Sequence, residues 1–219
     1  MSIAFKITKV VLALFAISTY KSLPLAYYFR IYWVFFKRLY LFKIVSKYKH
    51  ETKSIFEVSK YNTYNSPMEC DFYLHKSNSC YSEELDIARS ELMTSVLQKF
   101  FTEYQTESKQ FPFVPVASLW TSFKKEIKPF EKYAIESRIL GWDEKWIFVI
   151  SKFVKVNGVV ASTSITKYVL KDGRKTIKPR EAIKFQGLWS EEVEQEAVKG
   201  LEFVKFFVSN EEIEGIDMQ

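Results

Sequence analysis

The chain has 219 residues, 47% of them hydrophobic, 26% charged and 17% aromatic, which excludes a disordered chain and suits one domain with additions or two small ones. Two Cys and two His are too few for a closed four-ligand zinc site or a disulfide-stapled secreted module, so neither a metal nor a cofactor is expected. The net charge of +6 is uneven: residues 1–50 carry nine Lys/Arg and no acid, while residues 191–219 carry nine acids against Lys199 and Lys205. A basic excess confined to one end argues against nucleic acid as a partner of the folded body.

Residues 1–49 read first as a membrane-associating segment. Val10–Ser18 and Leu23–Phe36 are apolar runs, with Lys6 and Lys9 ahead of the first and Arg30 inside the second. Neither reaches the roughly 18–20 apolar residues of a clear transmembrane span, and no A-x-A-like cleavage site follows. Nine aromatics lie between Tyr27 and Phe42, where Tyr and Trp suit the headgroup level of a bilayer. Arg30, Lys37 and Arg38 are expected to snorkel to that level or meet anionic lipid. The competing expectation is that these helices pack on the body as ordinary core. The endoplasmic reticulum, with the domain facing the cytosol, is the expected address. The mitochondrion is the rival, although the segment favours bulky aromatics over the Ser and Arg of transit signals.

The body runs from residue 50. Ser54–Tyr64 reads as a strand, followed by a turn at Pro67. Tyr81, Leu85, Ala88, Leu92, Val96 and Phe100 recur at helical spacing, with Ser82, Glu83, Asp86, Glu91 and Lys99 opposite and Asn78 or Ser79 as N-cap. Strands are expected over Phe113–Ile127, Tyr133–Trp142, Trp146–Val156 and Val159–Leu170, the last two joined by a two-residue type I′ turn at Asn157-Gly158. Ser190 would cap a final amphipathic helix reaching about Val208, with Val193, Ala197, Leu201 and Val204 inward. One strand, a buried-looking helix and then four strands define an α+β chain whose antiparallel sheet wraps the helix.

The chemistry is concentrated at the start of that helix. Asp71 precedes it by a few residues, so its carboxylate can act as general base or nucleophile near helix amides suited to an oxyanion. Acyl transfer from a thioester needs both parts and no metal. Cys80 reads weakly as a nucleophile because His75 is the sole base nearby in sequence, and Cys70 reads as a buried thiol.

Asp71, His75, Asn78 and Tyr81 form a D-x-x-x-H-x-x-N-x-x-Y motif. It resembles that of the 4-hydroxybenzoyl-CoA-thioesterase-like branch of hotdog-fold proteins. Asp86-Ile87-Ala88-Arg89 is similar to that branch's acidic-x-Ala-Arg segment, and Arg138–Phe148 resembles the RLLGWD-type strand-turn-strand of the thioesterase superfamily member six group. The resemblance covers roughly residues 50–185 and implies a hotdog domain there, between the segment 1–49 and a C-terminal helix with an acidic tail at 186–219. It places Asp71 as the catalytic carboxylate, His75, Asn78 and Tyr81 as substrate-binding positions, and Tyr81 also as the aromatic that anchors the helix to the sheet. It further implies an acyl-CoA or related thioester as substrate and a homodimer or higher homo-oligomer with its pocket at the subunit interface. Two positions depart from the pattern. Leu74 stands where many members have Gly, and its side chain is expected to narrow access; Lys76-Ser77 replaces an apolar-Asn pair. A hotdog module that binds lipid or a membrane partner without turnover is the alternative function.

Overall fold

The computed structural model describes residues 3–48, 51–105 and 111–205. Its strands are β1 (Ser59–Tyr64), β2 (Val116–Phe123), β3 (Lys132–Trp142), β4 (Trp146–Lys155), β5 (Val160–Asp172) and β6 (Lys175–Ile177). Its helices are α1 (Ile3–Ser18), α2 (Ala26–Leu39), α3 (Asn78–Val96), α4 (Gln98–Glu103), α5 (Pro179–Gln186) and α6 (Glu191–Glu202). All pairings are antiparallel, in the order β1-β3-β4-β5-β2, with β6 on the end of β5. Helix α3 packs against β1 and β3, the arrangement that the hotdog resemblance implies.

The periodic stripe meets the sheet. Tyr81, Leu85, Ala88, Leu92 and Val96 are each no more than 3% exposed. Phe100 belongs to α4, because the helix breaks at Leu97. On the opposite face Ser82, Glu83 and Lys99 are exposed as expected and Asp86 is half-buried, but Glu91 is buried. Helix α2 lies along α3, and Glu84, Ile87, Glu91 and Thr94 are buried beneath it. A helix covered on two sides has little reason to be amphipathic in the usual sense.

A row of small hydroxyl residues crosses the sheet under α3. Ser59, Ser137, Ser151, Ser164 and Thr121 stand in register on successive strands. Ser137 and Ser151 share a hydrogen bond of 2.7 Å, and Thr121 and Ser164 one of 3.0 Å. The row divides the core. On one side Tyr81, Leu85, Tyr133 and Phe153 pack together, and on the other Leu92, Val96, Ile139 and Val149.

Several expected boundaries shift. The first strand begins at Ser59, with Ile55 and Phe56 buried before it, and β2 is shorter than Phe113–Ile127. Phe113 instead makes an isolated bridge to Lys171. The last helix ends at Glu202, and the acidic tail beyond residue 205 lies outside the described residues. Its Ser190 cap is present, accepting the Val193 amide at 3.2 Å. Helix α5 was not expected, yet its ends carry ordinary signals: Pro179 at the start and Gly187 at φ 86° after the end.

The RILGWD segment divides its labour among packing roles. Asp143 Oδ1 accepts the amides of Lys145 and Trp146 at 2.8 and 2.7 Å, forming the β3–β4 turn. Trp142 stacks on Phe56 with ring centroids 5.7 Å apart. Gly141 lies against the backbone of α6.

The β4–β5 hairpin also differs from expectation. The Lys155 amide bonds the Val159 carbonyl and the Gly158 amide bonds the Lys155 carbonyl, each at 2.9 Å. Gly158 alone in the turn has positive φ, 82°, so this is a three-residue loop with Gly in the left-handed position and not a type I′ turn. Gly158→Val should destabilise by about 1 kcal/mol or more, because a β-branched residue resists that φ. Urea melts should show a lower midpoint at unchanged slope, and an unchanged midpoint would exclude the strain.

Candidate active site

The segment before α3 folds into a small loop. The Asp71 amide bonds the His75 carbonyl at 3.0 Å and the Leu74 amide bonds the Asp71 carbonyl at 3.1 Å. This turn requires Leu74 at φ 56°, a left-handed conformation that glycine adopts without the penalty a side chain incurs. Conformation therefore explains why Gly suits this position. The Leu74 side chain is 72% exposed, so it does not narrow access as expected.

The Asp71 carboxylate accepts the Tyr73 amide at 3.0 Å and lies 3.6 Å from His75 Nδ1. His75, Asn78 and Tyr81 line one groove of about 270 Å³, together with Lys76, Phe123, Lys124, Lys125 and Glu126. Asp71 stands behind His75 and does not itself line the groove. Tyr81 is nearly buried, with its ring against Phe123 and Phe153. The N-cap is Ser77, without a side-chain capping bond, and neither Asn78 nor Ser79 takes that place. The Lys76 amide is spent on the Ile127 carbonyl, the Ser77 amide on Glu69 and the Cys80 amide on the Ser77 carbonyl, which leaves those of Asn78 and Ser79 as the first-turn donors for an acceptor. Burial pushes both the Cys70 and Cys80 thiols up, against a thiolate at either position. Among the described residues no group of His, Cys, Asp and Glu converges to hold a metal ion.

Beneath the loop lies an ionic cluster for which composition gave no warning. Lys76 is 1% exposed and bonds Glu69 Oε2 at 2.7 Å. Lys21, from the turn between α1 and α2, reaches Glu69 at 3.0 Å and Glu84 at 2.9 Å. Arg30 of α2 reaches Glu84 at 2.8 Å and the Tyr61 hydroxyl at the same distance. Farther along, Lys37 and Arg38 pair with Glu91, and Asp86 accepts from Arg89 and Tyr27. The acids that balance the N-terminal cations thus come from α3 and from Glu69 ahead of it. Arg30, Lys37 and Arg38 face protein, not the lipid headgroups expected for them.

Burial disfavours the Glu84 carboxylate, but the Arg30 hydrogen bond and the Lys21 charge outweigh it and hold the group at about 2. Burial pulls the Lys21 ammonium below the usual lysine range although Glu84 and Glu69 favour its charge. Three cations share two carboxylates here, so the desolvation cost falls on a cation. A carboxyl held below its unfolded value of about 4.3 stabilises the fold above that pH, and the contribution is lost as pH falls toward 2. The melting midpoint should drop steeply between pH 5 and 2. Glu84→Gln should lower the plateau at neutral pH and flatten that drop; parallel curves would remove Glu84 from the linkage.

Lys76, Glu69 and the two exposed lysines Lys124 and Lys125 are the site residues that sequence reasoning missed. Lys76 had a signal, as a charge between two motif residues where an apolar one is usual. Lys124-Lys125 was visible only as a basic pair after a strand, and Glu69 carried no signal.

A helix laid across an antiparallel sheet, with a carboxylate loop and a groove at the helix start, is the arrangement of a hotdog-fold thioesterase-like protein. The chain belongs to the thioesterase-like superfamily, whose family model matches residues 66–186. It is 48% identical over 189 residues to a Saccharomyces cerevisiae protein described as a probable thioesterase, spanning 83% of this chain and 80% of that one. It is 35% identical over 158 residues to the thioesterase poxG of Penicillium oxalicum, covering 57% of this chain and about half, 52%, of that relative. Among solved structures, a proposed oleoyl thioesterase from Lactobacillus plantarum aligns with a TM-score of 0.50 at 13% identity, covering 60% of this chain and 51% of that one; this likeness concerns the fold alone.

Proposed function

We propose that this protein hydrolyses acyl-CoA thioesters at the head of α3 while resting on a membrane surface. The observation that carries the reading is the shared groove of His75, Asn78 and Tyr81, with Asp71 3.6 Å behind His75. Asp71 takes a proton from water as the water oxygen bonds to the thioester carbonyl carbon. First-turn amides of α3 hold the resulting oxyanion. Collapse breaks the carbon–sulfur bond, the proton passes to the departing thiolate, and a carboxylic acid and CoA leave. Lys124 and Lys125 are suited to the phosphates of CoA. Exposed Val116, Trp120 and Phe123 on the edge strand β2 support pairing of two copies beside this groove.

The test is thiol release by the full chain from acetyl-, octanoyl-, palmitoyl- and benzoyl-CoA. Turnover on any of them supports the reading. Binding without release from all four favours the second reading, a non-catalytic module for lipid or a membrane partner. That alternative has an observation behind it: the Asp71 carboxylate is turned to its own loop.

Membrane attachment is part of the proposal. Helix α1 exposes Phe5, Val11, Leu14 and Phe15, and α2 exposes Phe29, Tyr32, Trp33 and Phe36 on the face away from α3. No described helix is long and apolar enough to cross a membrane, which favours an interfacial anchor. We assign the endoplasmic reticulum over the mitochondrion because the segment is richer in bulky aromatics than in Ser and Arg. Full-length protein should float with phospholipid vesicles in high salt, and Phe29→Ser/Phe36→Ser should weaken flotation. Release of the unmodified chain by salt alone would reduce the attachment to electrostatics.

A further inference from the structure

Glu69 closes the turn Pro67–Glu69 two residues before Asp71. Its main-chain carbonyl accepts the Ser77 amide at 2.8 Å, and its carboxylate takes Lys76 at 2.7 Å. Both bonds cross the neck of the loop that carries Asp71 and His75. The neck is tightened by the Cys70–Lys76 bridge and the Asp71–His75 bond. Lys76 cannot turn to water without opening it, being enclosed by the rings of Tyr81 and Tyr133 at 5.6 and 5.8 Å. The second oxygen of Glu69 takes Lys21, which continues to Glu84 in the second turn of α3. One buried carboxylate therefore joins the two sides of the loop, the helix behind it, and the turn at the foot of α1.

We propose that Glu69 is a positioning residue for the thioester site, holding the 70–76 loop closed through Lys76 and Lys21 so that Asp71 stays aligned with the head of α3. This rests on the assignment of Asp71 as the base. It makes the N-terminal segment part of the site's alignment as well as an anchor, since Lys21 belongs to that segment. Loss of the Glu69 charge leaves Lys76 a buried cation with no carboxylate, and the loop opens to hydrate it. Misalignment of the base slows the chemical step and leaves substrate affinity to the groove and the surface lysines.

The experiment uses the full chain with palmitoyl-CoA and benzoyl-CoA. Glu69→Gln keeps the shape and removes the charge; kcat should fall about 10–100-fold with KM changed less than about twofold. In Glu69→Gln/Lys76→Met the orphaned ammonium is gone, and most of kcat should return. A purely structural role predicts that kcat follows the melting temperature and that the double variant, lacking both partners, does no better than the single one. Unchanged kcat in Glu69→Gln, or no recovery in a double variant that melts normally, overturns the positioning role. Asp71→Ala run in parallel separates the two ideas: full loss there with a silent Glu69→Gln keeps the base and rejects the positioner, whereas a silent Asp71→Ala rejects both.

Discussion

Asp71→Ala should lower acyl-CoA hydrolysis by about 10²–10⁴-fold, the usual scale for a positioned acid or base. The fold should scarcely notice. The side chain is 30% exposed, accepts one amide bond from Tyr73, and its contact with His75 at 3.6 Å is loose, a set worth about 1 kcal/mol. Rate and melting temperature should therefore separate, and the separation is the informative result. Stopped thiol release with an unchanged melt assigns Asp71 to the chemistry. Unchanged release in a folded variant moves the base elsewhere, and a matched loss of rate and stability makes the carboxylate a loop fastener only.

Gly200→Ala should destabilise by about 2–4 kcal/mol, although the same change inside an isolated helix stabilises by about 1. The sign reverses because α6 crosses β3 backbone to backbone. A Cβ at Gly200 would lie 1.7 Å from the Leu140 carbonyl oxygen, and one at Gly141 would lie 2.4 Å from that of Ala197. Neither neighbour is a side chain that can swing aside, so the helix must lift and uncover Ala197 and Val204. Denaturant melts check this directly, with Val198→Ala as control because Val198 is 53% exposed. A stabilised Gly200→Ala would mean that α6 is not seated on the strand.

What was legible in the sequence was local. The spacing of Tyr81, Leu85, Ala88, Leu92 and Val96 announced α3, and the motif around Asp71 marked the loop before it, because the residues involved are neighbours along the chain. The pairing of α2 with α3 was not legible. Arg38 and Glu91 are 53 positions apart, and charge summed segment by segment assigns such partners to different compartments. Leu74 shows a second limit: a left-handed residue other than Gly, Asn or Asp leaves no compositional trace. Gly141 and Trp142 were visible as a motif, but their purpose depends on α6 and Phe56, which approach from opposite directions along the chain.

The distance between those partners also has a consequence in time. Lys21 is made 63 residues before Glu84, and at ordinary elongation speeds that gap is on the order of 3–13 s. Through that interval the apolar α1 and the aromatic α2 exist on the ribosome without the helix that will neutralise them. Whatever receives a greasy, positively charged nascent segment, a bilayer or a chaperone, has first access to it. The sheet and α3 then have to fold onto a segment that was made well before them.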